Sequence, residues 1–409
     1  MNVPKIRFEK FTEEWHETSI GQVAHIFGGG TPSTSNIHYW GGGIQWFTPS
    51  EVGHCKYINK SERTISELGL NESSAKLLPK NSILLSSRAT IGEMSINTCE
   101  CATNQGFQSL VPYNADLEFL FYIMHTKKND LIRESNGSTF LEISANKVRS
   151  LGLVVPKRNE QEKIGLFLKN LDSSIETLTK KITSLKQTKQ ACLQSMFPQS
   201  GETRPRIRFK GFEGDWEEVL VGEMGTTYSG LSGKTKEDFG QGNAKYVTFL
   251  NVLTNAKIDT SMLEAVKVSL TEHQNEVRKG DLLFNTSSET PEEVGLCAVM
   301  DEELDNVYLN SFCFGFRITH ENIDPTFIAY LMRSHIGRGI MSILAQGATR
   351  YNLSKTNFCK TGLLLPNTKA EQIAIGNYFT NLDKQISLQT QRLEKLKQIK
   401  SACLDNMFV

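Results

Sequence analysis

The chain has 409 residues, of which 45 are Lys or Arg and 45 are Asp or Glu, so its net charge is zero. That length allows two or three domains with real cores. The charge balance argues against unspecific coating of nucleic acid, which needs surplus cations, but not against a binder whose positive charge is confined to one face. No stretch approaches the roughly 18 consecutive apolar residues of a membrane helix, and Met1-Asn2-Val3-Pro4-Lys5 has no signal-peptide core. The eight cysteines are scattered, and Cys99 and Cys101 lack the spacing and the second pair of a zinc site. These features lead to the expectation of a reduced, soluble, cytoplasmic protein with no membrane contact.

In chain order, the first element is a signature, Pro4-Lys5-Ile6-Arg7-Phe8, followed by Phe11 and Trp15. Short β-like runs such as Ile83-Leu84-Leu85 then alternate with Gly-, Ser- and Asn-rich loops. Asp116-x-x-Phe119-Leu120-x-Tyr122-Ile123-Met124 has helical spacing and reads as core. An extended run from Leu151 to Val155 stops at Pro156, where a long helix begins. Along it Leu168, Leu171, Ile175, Leu178, Ile182 and Leu185 alternate in steps of three and four, a heptad seam. Lys189 breaks the seam before Cys192 and Met196 resume it. About 35 residues of helix would reach roughly 50 Å. Pro198 to Pro205 is a turn-rich linker.

Everything then returns. Pro205-Arg206-Ile207-Arg208-Phe209 precedes Phe212 and Trp216, and Asp324-x-x-Phe327-Ile328-x-Tyr330-Leu331-Met332 repeats the earlier helix. The run Leu363 to Leu365 ends at Pro366, and Glu371 to Phe408 matches Glu160 to Phe197, with 18 of 38 positions identical. Phe379, Leu382, Ile386, Leu393 and Leu396 carry the second seam, with Gln389 as a polar intruder and Lys400 as the break. A period of about 200 residues is too long for a solenoid and means a duplicated domain. Because the seams match in phase and length, the helices are expected to pair with each other rather than with other chains or their own domains. Two equivalent sites suit a ligand built of two halves, and duplex DNA is the obvious candidate.

The loops carry the chemistry. Gly230-Leu231-Ser232-Gly233-Lys234-Thr235 has Tyr228 where a phosphate loop needs glycine, so a polar loop is the better reading. Gly28-Gly29-Gly30 and Gly41-Gly42-Gly43 flank Thr31 and Ser33, and Gln45, Trp46, Thr48 and Ser50 follow, types that reach phosphates and base edges. Ser86, Ser87, Arg88 and Thr90 follow one strand, with Asn104 and Gln105 downstream. Asn285, Thr286 and Ser287 follow the equivalent strand, with Asn310 and Ser311 downstream. Gly137-Ser138-Thr139 matches Gly347-Ala348-Thr349, the latter leading into Arg350, Tyr351 and Asn352. Arg suits guanine edges and Asn or Gln suits adenine edges; ordinary turn chemistry is the alternative for each. Motifs for amino-methyl transfer, metal binding, nucleotide hydrolysis or nuclease action are missing, and Glu289, Glu292 and Glu293 lie around Pro291 without a nuclease pattern. The chain is expected to perform no chemistry alone.

The order of signature, variable domain and long helix, twice over, resembles the specificity subunit of type I restriction–modification systems. Gly29-Gly30-Thr31-Pro32-Ser33-Thr34, Tyr39-Trp40-Gly41-Gly42, Ser87-Arg88-Ala89-Thr90-Ile91-Gly92, Thr103-Asn104-Gln105-Gly106-Phe107 and Gln346-Gly347-Ala348-Thr349-Arg350-Tyr351-Asn352 carry the likeness, as do Gly230 to Lys236 and the Pro156/Glu160-Gln161 helix start. One departure is an extra residue between Pro366 and Glu371. The resemblance implies an α+β fold: two pseudo-symmetric mixed α/β target-recognition domains, residues 16–158 and 216–367, joined by an antiparallel coiled coil of helices at 159–198 and 368–409. Residues 1–15 and 199–215 would be the repeated segments. It further implies that each domain reads half of a split DNA target, and that the helices set the gap and dock two methyltransferase subunits. Restriction and translocation subunits would complete the complex. S-adenosylmethionine, ATP and magnesium would sit on those partners, with no cofactor here. A self-contained methyltransferase, a nucleotide hydrolase and a coiled-coil adaptor that never touches DNA are the alternatives. The candidate DNA-contacting set also includes Ser138, Thr139, Lys234, Lys236 and Thr349.

Overall fold

A computed structural model describes residues 2–137, 141–269, 271–347 and 350–409. The chain divides into two units: Met1–Thr179 with Gln391–Val409, and Lys180–Thr390. Each unit therefore holds one mixed domain, the first part of the long helix that follows it, and the last part of the other long helix.

In the first unit, His16–Ser19 pairs antiparallel with Gly152–Val155, closing the domain on itself next to its helix. A five-stranded sheet follows the order Ala24–Gly28, Gln108–Pro112, Ile83–Leu85, Met94–Asn97, Tyr57–Ile58. A three-stranded sheet follows the order Arg63–Ile65, Trp40–Phe47, Cys101–Thr103. The central run Ile83-Leu84-Leu85 is wholly buried because the strand period of two sends its side chains into two cores. Ile83 and Leu85 join the cluster around Phe119 and Tyr122, whereas Leu84 joins Phe47 and Phe107. The second unit repeats the device, with Leu282 and Phe284 on one side and Leu283 on the other. Its sheets run Gly225–Ser229, Cys313–Ile318, Leu282–Asn285, Cys297–Val299 and Leu263–Val266, Phe239–Val247, Val307–Leu309. It adds a small third sheet of Ser287–Ser288, Tyr351–Leu353 and Ala345–Gln346.

The repeated helical motifs are Leu117–Thr126 and Pro325–Arg333. Each starts at an aspartate whose carboxylate accepts a backbone N–H in the first turn, Phe119 to Asp116 at 2.9 Å and Phe327 to Asp324 at 2.7 Å. Such a cap satisfies an orphan donor and is worth about 1 kcal/mol.

The long helices are Arg158–Ser195 and Lys369–Asn406, 38 residues each, or roughly 57 Å at 1.5 Å per residue. Within the second unit they run antiparallel. Lys189 pairs with Asp383, and the Cys192 thiol meets the Tyr378 hydroxyl at 3.3 Å, so numbering rises on one helix as it falls on the other. In the first unit Lys400 pairs with Asp172 at 2.7 Å. The two lysines that break the seams thus reach the aspartates of the partner helix, each of which also accepts a tyrosine hydroxyl: Tyr122 to Asp172 at 2.5 Å and Tyr330 to Asp383 at 2.8 Å. The seam residues Leu171, Leu178, Ile182, Leu382 and Leu393 are buried, and Ile175, Leu185, Ile386 and Leu396 are half-buried. Leu382 and, partly buried, Leu185 pack into the core of the second unit.

The repeated signature acts as a clamp. Arg7 donates to both carboxylate oxygens of buried Glu160 at 2.7 and 2.8 Å, and Arg208 does the same to Glu371 at 2.7 and 2.8 Å. The Glu160 hydrogen bond lifts the Arg7 pKa above its ordinary value. The Ile6 N–H donates to the Asn406 carbonyl and the Ile207 N–H to the Ser195 carbonyl, both at 2.9 Å, so each signature docks at the end of a long helix. The extra residue after Pro366 is absorbed locally. Gln161 still donates to the Pro156 carbonyl (2.9 Å), and Gln372 to that of Pro366 (3.3 Å).

Candidate nucleic-acid interface

In the first unit the loops converge beyond the end of Ile83–Leu85. The Ser87 N–H donates to the Gly106 carbonyl at 2.8 Å, and the Ser87 carbonyl accepts from Ile143 at 3.1 Å. Asn104 N–H donates to Phe47 at 3.0 Å and Gly30 N–H to Thr103 at 2.8 Å. The second unit makes the same four bonds with different residues: Thr286 to Phe312 (2.9 Å), Leu353 to Thr286 (2.9 Å), Asn310 to Val247 (3.1 Å) and Leu231 to Leu309 (2.7 Å). Both units also close the same side-chain turn, Gly106 N–H to Asn104 Oδ1 at 2.8 Å and Phe312 N–H to Asn310 Oδ1 at 2.7 Å. One backbone cage thus carries two unrelated sets of side chains.

In the first cage Arg88 pairs with Glu142 at 2.7 Å, both about two-fifths exposed. Ala89, at the tip, has φ 58°, a left-handed conformation that costs a non-glycine residue about 1 kcal/mol. Strain of this kind gathers where a loop must present particular groups. Thr31 and Gln105 are exposed and joined at 2.5 Å. Thr90 is exposed and lies 3.1 Å from the Ser86 hydroxyl, and exposed Ser33 meets Ser35 at 2.8 Å. In the second cage Ser287 and Ser288 pair with Asn352 and Tyr351. Arg350 and Asn352 are exposed, with the Asn352 amide donating to the Arg350 carbonyl at 3.2 Å. Lys236 is exposed at the start of Lys236–Asp238. Tyr351 and Thr286 are half-buried.

Several expected contact residues instead brace the loops from behind. Trp46 is buried, its indole N–H given to the Gly30 carbonyl at 2.9 Å. Ser86, Ser87, Asn285 and Ser287 are buried because they continue inward-facing strands. The Asn285 amide donates to the Glu293 carbonyl at 2.7 Å. The Gln45 carbonyl oxygen accepts from the Ser61 N–H and hydroxyl at 2.8 and 3.0 Å, and Asn104 is committed to its turn. Lys234 is spent on Glu272 and on the Lys267 carbonyl, and its hydrogen bond pulls the Glu272 carboxyl down to about 2. Ser138, Thr139 and Thr349 lie outside the described residues. Glu142 was missed by sequence reasoning, although it occupies the place of Asn352 in the repeated Gly137…Ile143-Ser144 and Gly347…Leu353-Ser354 frame. Among the described residues no three His, Cys, Asp or Glu side chains form a metal group, and no helix is long and apolar enough to cross a membrane.

Residues 12–187 and 213–398 each match the family described as type I restriction modification DNA specificity domain. Over 176 residues the chain is 36% identical to the type I restriction enzyme MjaIX specificity subunit of Methanocaldococcus jannaschii, spanning 42% of this chain and 41% of that protein. A type I restriction enzyme specificity subunit of Escherichia coli is 29% identical over 186 residues, 44% of each chain. Each match spans less than half of the curated relative's length. The S subunit of a type I restriction-modification system from M. genitalium shares the fold at TM-score 0.61 and 16% identity, over 100% of this chain and 99% of that one. With a matching stretch in each half, the chain belongs to the type I restriction modification DNA specificity domain family and carries that domain twice.

Proposed function

We propose that the chain is the DNA-reading subunit of a type I restriction–modification complex, each loop cage reading one half of a bipartite duplex target. The observation that carries this is the repeated cage: the same backbone bonds present Arg88, Glu142, Thr31 and Gln105 in one half and Arg350, Asn352 and Lys236 in the other. A fixed frame with different polar fingers is what reading two different short sequences requires. The long helices set the gap and dock two methyltransferase subunits on their outer faces. Those subunits bring S-adenosylmethionine, and restriction subunits bring ATP and magnesium. This chain supplies no catalytic group and works in the cytoplasm.

Two measurements test the reading. Purified alone, the chain should transfer no methyl group, and with its methyltransferase subunit it should direct adenine methylation to two short blocks about one DNA turn, roughly 34–36 Å, apart. Methyl transfer by the chain free of partner would sink it. Inserting seven residues in the first long helix keeps the heptad phase and adds roughly 10 Å. Mapped methylation should then show both blocks intact with a longer gap, and an unchanged gap in an active variant would remove the helices from that role.

A further inference from the structure

The turn closed by Asn104 in one cage and Asn310 in the other presents very different residues. In the first it presents Gly106, which is buried; a Cβ there would lie 2.8 Å from Pro49 Cγ and 3.0 Å from Asn104 Oδ1, so a side chain has no room. In the second it presents Phe312, which is 58% exposed. Its N–H is held by Asn310 Oδ1 at 2.7 Å and its carbonyl by the Thr286 N–H at 2.9 Å. The backbone is pinned on both sides, so the Cα of Phe312 stays at the turn and its exposed side chain starts from a fixed point. Counting from the shared bond at Phe47 and Val247, the place of Pro49 is taken by Phe249, and the next residue, Leu250, is 54% exposed. The second cage therefore shows water an apolar projection where the first shows a flat turn.

We infer that Phe312 is a specificity-determining residue of the second domain, packing on the C5-methyl group of a thymine in the major groove. This rests on the DNA-reading assignment above. An exposed ring on a fixed backbone gains by covering apolar surface, and among base edges the thymine methyl is the apolar feature of the major groove. Arg350 and Asn352 on the same cage are exposed and carry the donors that suit major-groove edges of guanine and adenine.

The test uses the complex of this chain with its methyltransferase subunits and synthetic duplexes of the mapped target. In the half assigned to the second domain, each thymine is replaced in turn by deoxyuridine, which lacks only the methyl group. One replacement should weaken wild-type binding roughly fivefold. Phe312→Ala should bind the natural duplex roughly tenfold more weakly, ignore that replacement, and leave the other half-target unchanged. Phe312→Leu should keep part of the sensitivity, which separates lost contact from a damaged loop. Wild-type affinity in Phe312→Ala, undiminished sensitivity to deoxyuridine, equal weakening on all sequences, or a second half-target without an A·T pair would each overturn the inference. A wild-type complex with no sequence preference would instead overturn the DNA-reading assignment itself.

Discussion

Both units bring a domain tyrosine and a partner-helix lysine onto one helix aspartate, but they fill the space beside it in opposite ways. In the first unit Lys56 reaches Glu118 at 2.6 Å and lies 4.1 Å from the centroid of the Tyr122 ring. Tyr57 also donates to Glu118, and Lys169 joins it at 3.1 Å. Matching the two frames through Ile96 N–H to Lys56 and Val299 N–H to Ala256 puts Ala256 and Lys257 in the places of Lys56 and Tyr57. Thr326 and Thr380 take those of Glu118 and Lys169. The second unit has there a cavity of about 390 Å³ lined by Ala256, Lys257, Thr380, Tyr330 and Asp383. Duplication has kept the groups that set helix register and let the filling diverge. Register needs particular donors at particular places, whereas filling can be done by an ionic network or left loose.

The sharpest break of this symmetry should come from the clamp itself. Glu160→Ala strands the Arg7 guanidinium, and Glu371→Ala strands that of Arg208. Removing one partner of a largely buried pair should cost roughly 3–5 kcal/mol. The two losses should not be equal. The Trp15 indole N–H also lies 3.4 Å from Glu160, whereas the buried Trp216 indole N–H has no hydrogen-bond partner among the described residues. Glu160→Ala should therefore cost more, by about 1 kcal/mol. Urea midpoints at constant slope measure both, and hydrogen exchange should place each loss in its own unit.

A smaller effect distinguishes the fillings. Lys56→Met and Glu118→Gln should each destabilise the first unit by about 1–2 kcal/mol and be strongly non-additive, because they share one network. Burial pushes the Glu118 carboxyl up, but hydrogen bonds from Lys56 and Tyr57 outweigh it and hold the group below its ordinary value. A carboxyl depressed on folding stabilises above its unfolded pKa, roughly 4.3, and loses that contribution as pH falls through the folded value. The advantage of wild type over Glu118→Gln should be complete at pH 7 and shrink below about pH 4.5. An advantage that persists undiminished at pH 3 would mean the carboxylate is not its source.

Legibility followed the same division. The signature, the two seams and the seam-breaking lysines were visible because a repeat marks positions whose partners are fixed. In the sequence Lys189 and Lys400 are only breaks in the seams, and the fold shows them meeting Asp383 and Asp172. The sequence expectation of an α+β chain with two long paired helices matches the fold. The interface was legible as a set of loops and poorly legible by residue. Short polar residues after a strand look alike in sequence whether they face solvent, as Thr90 does, or the core, as Ser87 does. Phe312 was missed because an aromatic residue beside Asn310-Ser311 reads as core, and its exposure follows from a turn closed by a side chain. The Lys56 network was invisible because its members are spread from residue 56 to 169 and have no counterpart in the second half.

The smallest effect is the most demanding test of the comparison, because it asks whether the first filling can be moved. Tyr330 and Asp383, which would receive it, already stand where Tyr122 and Asp172 do. Ala256→Lys alone should destabilise the second unit by about 1 kcal/mol, since a lysine enters beside Lys257 and Lys189, and Asp383, which lines the cavity, already holds Lys189 and Tyr330. Thr326→Glu alone should cost a similar amount, since Lys257 and Lys189, the cations beside it, are already held by Asp301 and Asp383. Together they should recover to within about 1 kcal/mol of wild type, a coupling of roughly 1–2 kcal/mol in a double-mutant cycle. The net gain stays small because desolvating two charges offsets most of their attraction. Coupling below about 0.3 kcal/mol would show that Lys56 and Glu118 depend on Tyr57 and Lys169 for their geometry, and that the network transfers as four residues or not at all.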